Sequence, residues 1–228
     1  MRIADNAYML KIGQEEGGAY YPVLVSDGAN LALIDAGYKE HNEAFVKAIE
    51  AEGFKARDIT HIILTHQDGD HVDGVKAMKK LAPGAVVVAH EEEAPYIDGS
   101  KLNIKLQDWI DKQGTLTDED KADIDERKAE SAARAVPVDI KVKDGNVIFG
   151  DMEAVHVPGH TPGHICLYLR NSGIMVGGDA LNIDGGKLVG PNPVYTYDQA
   201  QGAASLEKIK GYNPKMAVAY HGGLITLR

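Results

Sequence analysis

Thr65-His66-Gln67-Asp68-Gly69-Asp70-His71 places two histidines and two carboxylates within the six residues from His66 to His71. The apolar run Ile62-Ile63-Leu64 precedes it, and the helical pattern Val75-Lys76-Ala77-Met78-Lys79-Lys80-Leu81 follows. The stretch therefore reads as a strand end, a tight loop and a helix start, with Asp73 as N-cap. Four donors this close on one loop repel each other unless a cation gathers them, and mixed imidazole and carboxylate suit zinc, iron or manganese. A solvated polar loop would leave the two histidines unexplained. A calcium loop starting at Asp68 would need glycine and glutamate where the chain has Asp73 and Lys79. A nucleophilic triad would need a serine or cysteine beside a histidine, and none stands here.

Composition bounds the rest. The 228 residues carry no clear linker and read as one domain over 1–228, and the 44% hydrophobic content is ordinary for a chain with a real core. A formal charge of −10, from 34 acidic and 24 basic residues, disfavours a nucleic-acid partner and leaves a small-molecule substrate as the expectation. The single cysteine, Cys166, excludes an internal disulfide. Residues 1–10 hold no apolar leader, and no apolar run is long enough to span a membrane, so the default expectation is a cytoplasmic protein without a membrane partner. Oligomeric state is not legible.

Along the chain, residues 19–25 and 31–34 read as strands around the turn Ser26-Asp27-Gly28-Ala29-Asn30, and residues 42–52 as a helix stopped by Gly53. Val86 to His90 is another strand. Residues 91–136 then form a helical insert rich in Asp, Glu, Lys and Ala. One helix is expected around Ile104, Trp109 and Ile110, and a second runs from the cap at Thr117-Asp118-Glu119-Asp120 to about Arg134. The insert is either a solvated flank or a lid or wall over the site. Residues 140–142 and 147–149 read as a hairpin around Asp144-Gly145-Asn146. Strands follow at 154–157, 165–169, 174–176 and 216–220, with a helix at 198–210. Interleaved strands and helices give an α/β (α+β) chain.

Three further candidate ligands each follow a strand. His160 sits in Pro158-Gly159-His160-Thr161-Pro162-Gly163-His164, where two prolines and two glycines stiffen the loop. Asp179 follows Gly177-Gly178, and His221 follows the strand ending at Tyr220. Asp35 closes the strand 31–34 and reads locally as a helix cap or a group turned to a site. His41 and His61 read as flank positions, and His90 and His156 as structural. His164 is read as bonding within its loop or behind the site, and Cys166 as a small core residue.

This ordered set resembles the metallo-β-lactamase superfamily. Its Thr-His-x-His-x-Asp-His motif is matched by Thr65 to His71. The Pro-Gly-His-Thr-Pro-Gly-His loop, the Gly-Asp after a strand, the C-terminal strand-His and the early Asp35-Ala36-Gly37 follow in the family's order. The resemblance implies a four-layer αββα sandwich of two mixed sheets flanked by helices, with a dinuclear site along one edge. It implies His66, Asp68 and His160 on one metal, Asp70, His71 and His221 on the other, and Asp179 between them. Asp35 would then orient a ligand histidine. Two divalent ions, zinc foremost, are the implied cofactors. The implied activity is hydrolysis of an ester, lactone, thioester or amide carbonyl by a metal-bridging hydroxide, with Asp70 passing a proton.

Two departures qualify the resemblance. Asp68 replaces the motif's second histidine. Two carboxylates and a hydroxide leave two divalent ions with net positive charge, whereas a third carboxylate makes the centre neutral and harder, which admits iron or manganese. Similar flavodiiron proteins carry an acid at this place. The lactonase branch has a tyrosine three residues after the bridging Asp; here that residue is Asn182, with Tyr195, Tyr197 and Tyr220 as possible substitutes. No basic cluster for the carboxylates of a glutathione thioester is evident in sequence, Lys187 being isolated. The rivals are a di-iron oxidoreductase and a non-catalytic metal- or ligand-binding protein.

Overall fold

The computed structural model describes residues 1–13 and 18–227. In the first half, β1 (Arg2–Ala4), β2 (Ala7–Met9), β3 (Val23–Ser26), β4 (Leu31–Ile34), β5 (His61–Ile63), β6 (Val86–His90) and β7 (Ile140–Val142) form one sheet in chain order. It is antiparallel from β1 to β4 and parallel from β4 to β7. In the second half, β8 (Met152–His156), β9 (Ile165–Leu169), β10 (Ile174–Val176), β13 (Met216–Ala219) and β14 (Gly223–Thr226) make a second mixed sheet, while β11 (Asn182–Asp184) and β12 (Lys187–Val189) pair apart. Helices α1 (Asn42–Ala51), α2 (Gly69–Val72), α3 (Val75–Leu81), α4 (Ala94–Ile97), α5 (Ile104–Lys112) and α6 (Asp118–Arg134) fall in the first half, and α7 (Gln199–Gly211) in the second.

Strand alternation builds the layers. Val23, Val25, Ala32, Ile34, Ile63 and Val88 of the first sheet pack against Met152, Ala154, Ile165, Leu167, Ile174 and Val218 of the second. The opposite faces of the same strands meet helices. Leu24, Leu33, Ile62 and Val87 pack with Phe45 and Ile49 of α1 and Met78 of α3; Val155, Met175 and Ala217 pack with Ile209 of α7. Because both faces of β4 and β10 are covered, every residue of each is buried, which is why they read as unbroken apolar runs. This is the αββα sandwich of two mixed sheets between helices.

Two local expectations are corrected. The turn at Asp144-Gly145-Asn146 exists, with Lys143 N donating to Asn146 Oδ1 at 2.9 Å, but its two arms do not pair. β7 runs parallel to β6 in the first sheet, and Val147 bridges to Glu153 of the second. The turn carries the chain between sheets, so the alternation on each side is real while the hairpin is not. Asp73 does not cap α3, whose N-cap is Gly74. It ends the short helix α2, and its Oδ2 accepts from Lys39 N at 3.3 Å.

Topology collects the site. β4 and β5 are parallel, β10 and β13 are parallel, and β8 and β10 both run against β9. The C-terminal ends of β8, β10 and β13 therefore share one edge of their sheet, as those of β4 and β5 share one edge of theirs.

Candidate metal centre

The loop after β5 supplies His66, Asp68, Asp70 and His71; the segments after β8, β10 and β13 supply His160, Asp179 and His221. They meet as two clusters. In the first, Asp68 Oδ2 lies 3.3 Å from His66 Nε2 and 3.0 Å from His160 Nε2. In the second, His71 Nε2 lies 3.5 Å from Asp70 Oδ2 and 3.4 Å from Asp179 Oδ1. His221 Nε2 lies 3.1 and 3.5 Å from the same two oxygens. Asp179 straddles the clusters, since its Oδ2 is 3.6 Å from His160 Nε2.

These spacings fit a cation. Donors held at about 2.0–2.2 Å around a tetrahedral ion lie roughly 3.3 Å from one another, and the donor pairs here span 3.0–3.6 Å. His66 Nε2, His71 Nε2 and Asp179 Oδ1 are buried with no hydrogen-bond partner, although all three face donors of these clusters. Buried polar atoms are seldom left so. Imidazole nitrogens and carboxylate oxygens converging on two points are the chemistry of a two-metal site.

Asp35 fixes both inner histidines. It adopts φ +63°, a left-handed conformation uncommon outside glycine, which turns its carboxylate inward from the end of β4. Oδ1 accepts from Thr65 N at 2.9 Å, Oδ2 accepts from Thr65 Oγ1 at 2.9 Å, and Oδ2 is 2.9 Å from His71 Nδ1. With the Thr65 hydroxyl proton given to Asp35, Thr65 Oγ1 accepts from His66 Nδ1 at 3.0 Å. One carboxylate thus directs Nε2 of His66 into the site through Thr65 and sets its charge against Nδ1 of His71, whose Nε2 faces the site.

His164 lies behind the clusters. Its ring stacks on His66 at 4.8 Å, and its Nε2 accepts from Asp179 N at 3.2 Å. Burial holds His164 well below the usual histidine range, so the acceptor nitrogen stays unprotonated. Burial likewise lowers His66 to about 4, leaving a neutral ligand. Burial works against ionising Asp68, yet His66, His160 and Lys105 hold its carboxyl well below the usual range.

Several groups the sequence reading passed over complete the site. Glu93, fully buried, ties the two ligand loops together: its Oε1 accepts from Gln67 N at 2.9 Å and Gln67 Nε2 at 3.1 Å, and its Oε2 from Gly163 N at 2.8 Å. A Cβ on Gly163 would collide with the Glu93 backbone, so the loop needs glycine there. Tyr220 packs its ring on His71 at 3.9 Å and donates its hydroxyl to Asp70 O at 2.7 Å, which removes it as a free donor to substrate. Asn182 Nδ2 donates to Gly190 O at 3.4 Å, and Tyr195 and Tyr197 are exposed. Basic residues, interleaved with acids in sequence, gather in space. Lys39, Lys76, Lys80 and Arg134 line a cavity of about 670 Å³ beside Gly69, although Glu40, Asp73 and Glu130 line it too. His90 and His156 stack on each other at 4.0 Å, and His156 Nε2 is 2.8 Å from Pro162 O.

The chain matches the model described as "Metallo-beta-lactamase superfamily" over residues 17–221. It belongs to the metallo-beta-lactamase superfamily. A probable metallo-hydrolase, YflN of Bacillus subtilis, is 27% identical over 220 residues, covering 89% of this chain and 79% of that protein. A hydroxyacylglutathione hydrolase of Rhodobacter capsulatus is 29% identical over 150 residues, covering 64% of this chain and 43% of that protein. The crystal structure of the metallo-beta-lactamase family protein TTHA1429 from Thermus thermophilus superposes with a TM-score of 0.74 at 22% identity, covering 99% of this chain and 76% of that one. Among the described residues, no helix is long and apolar enough to cross a membrane.

The charge arrangement predicts a pH effect in chelator. Burial would lower His221, but Asp179 and Asp70 raise it to about 9. A histidine with a raised folded pKa contributes stability that is fully present below about pH 6.5 and lost as pH rises through 9. The side chain is 45% exposed, so solvent screening cuts the contribution to about 1–2 kcal/mol. Melting in EDTA should accordingly fall between pH 6.5 and 9.5, and less steeply in His221→Ala, where His71, which burial would lower but Asp70, Asp35 and Asp179 hold above the usual histidine range, still contributes; equal slopes in variant and parent would remove His221 as a source.

Proposed function

We propose that this protein is a two-metal hydrolase acting on the carbonyl of an ester, lactone, thioester or amide. The observation that carries the reading is Asp179, whose two oxygens face opposite clusters. In this reading His66, Asp68 and His160 hold one ion, Asp70, His71 and His221 the other, and Asp179 both. Divalent ions held there would supply a water of lowered pKa and a Lewis acid for the carbonyl. Asp70 Oδ2, beside His221 and His71, lies where a carboxylate can take the proton of the attacking water and return it to the leaving group. Asp35, against His71 Nδ1 and through Thr65 against His66 Nδ1, would keep those histidines in the tautomer that exposes the required nitrogen, while His164 holds the Asp179 backbone. The hydroxyacylglutathione hydrolase relative supports a thioester as the first substrate class to try.

The test is metal analysis of the purified protein, then turnover across ester, lactone and thioester panels. Hydrolysis that vanishes in chelator and returns with metal supports the reading; protein that binds no divalent ion sinks it. Asp68 favours a second reading, a di-iron oxidoreductase, because a third carboxylate hardens the donor set. Iron with charge-transfer bands and no hydrolysis on any panel would select it. Asp68→His should raise zinc affinity at the first cluster by about tenfold or more, since imidazole is the softer ligand. Zinc titration showing no change or a loss would refute that.

A further inference from the structure

Lys105, from the insert, reaches into the first cluster. Its Nζ contacts Asp68 Oδ2 and lies 3.0 Å from His160 Nε2. The side chain does not arrive there by chance of a loose surface helix. Asn103 Oδ1 caps α5 by accepting from Lys105 N at 3.0 Å and Leu106 N at 3.1 Å. Gln67 Oε1, in the ligand loop itself, accepts from Ile104 N at 3.1 Å. The helix start and the metal loop are therefore joined one residue away from Lys105, by the residue that precedes Asp68. Lys105 is 26% exposed and Asp68 20%, so the pair is partly shielded from water.

An ammonium has three donors and no acceptor. It meets Asp68 as a counter-charge, and it lies 3.0 Å from His160 Nε2, the ring nitrogen a metal would use. Asp68 gives this cluster a carboxylate where the family motif has a histidine, and Lys105 is the cation that answers it. Resting on the two-metal reading above, we propose that Lys105 is a built-in competitor of the first-cluster metal. The ion pair Lys105–Asp68 must open before Asp68 and His160 can bind an ion together, so the Asp70–His71–Asp179–His221 cluster fills first and the His66–Asp68–His160 cluster fills second, more weakly. The insert thereby sets the order and strength of metal filling and is more than a wall.

The experiment is titration of metal-stripped full-length protein with zinc, by calorimetry and by native mass spectrometry, for the parent, Lys105→Met and Lys105→Arg. The parent should take up two ions in unequal steps. Methionine keeps the apolar stem and drops the charge, so Lys105→Met should tighten the weaker step by about tenfold or more, the loss of a charge-assisted hydrogen bond to a competitor, and leave the tighter step unchanged. Lys105→Arg, which keeps the charge, should keep two unequal steps. A weaker step that is unaltered in Lys105→Met overturns the proposal. So does one that weakens, because Nζ would then be a ligand or a prop. Circular dichroism establishes that each variant is folded, and Lys105→Gln serves as the charge-free variant if methionine is not tolerated. Two equal, tight steps in the parent refute the competition while leaving the two-metal reading intact; no zinc uptake by any variant refutes both.

Discussion

Asp179→Ala should abolish hydrolysis to background, a fall beyond the roughly 10–100-fold typical of losing an outer partner of a metal ligand. The reason is position. Among the described residues, Asp179 is the side chain with an oxygen toward each cluster, Oδ1 facing His71 and His221 and Oδ2 facing His160. In the two-metal reading, its removal would take a donor from each cluster. Metal content should fall below that of the parent in the same preparation. Fold should survive, because the Asp179 backbone N still donates to His164 Nε2 and the neighbouring core residues Ala180 and Leu181 are untouched. Turnover within tenfold of the parent, at unchanged metal content, would show that the clusters are not the reaction centre. Asp179→Asn sharpens the point: it keeps the shape and one oxygen acceptor but not the charge, and should lose activity nearly as fully.

Much of this arrangement is written locally, and the rest is not. His66, Asp68, Asp70 and His71 announce themselves because four donors share one loop. His160, Asp179 and His221 are legible because each follows an apolar strand, and strand ends can converge. The sandwich is legible from unbroken apolar runs such as Leu31-Ala32-Leu33-Ile34, whose continuity reflects cover on both faces. Short strands were not: β1, β2 and β12 have three residues each and no usable period. Glu93 and Lys105 sit in a charged, helix-forming segment where nothing local separates them from their exposed neighbours. Glu93 is buried only because Gln67 and Gly163 arrive from distant loops, and Lys105 points inward only because Gln67 anchors Ile104. The crossing at Asp144-Gly145-Asn146 fails in sequence for a related reason. A turn signal shows that the chain reverses, not that its arms belong to one sheet.

Glu93→Ala is the substitution with the largest expected effect on stability. The buried carboxylate accepts three N–H groups, from Gln67 N, Gln67 Nε2 and Gly163 N. Alanine leaves two backbone donors and an amide without partners in a place water does not reach, and leaves a cavity besides. Each buried unpaired group costs about 1–3 kcal/mol, so the total should come to about 3–5 kcal/mol after partial relaxation. For a chain of this length that is a drop of roughly 2–4 °C in Tm for each kcal/mol. Glu93→Gln separates acceptance from packing. Its amide oxygen can still take the two bonds from Gln67, but its NH2 then faces Gly163 N, donor against donor, for a loss of about 1–3 kcal/mol. The effect should also be uneven across the metal centre. Gln67 lies between His66 and Asp68, and Gly163 shares a loop with His160, so all three donors of the first cluster hang on Glu93 while His71 and His221 do not. Zinc titration of Glu93→Gln should therefore weaken one step and spare the other. Equal weakening of both, or a melting point within a degree of the parent, would mean that the two loops hold their places without this carboxylate.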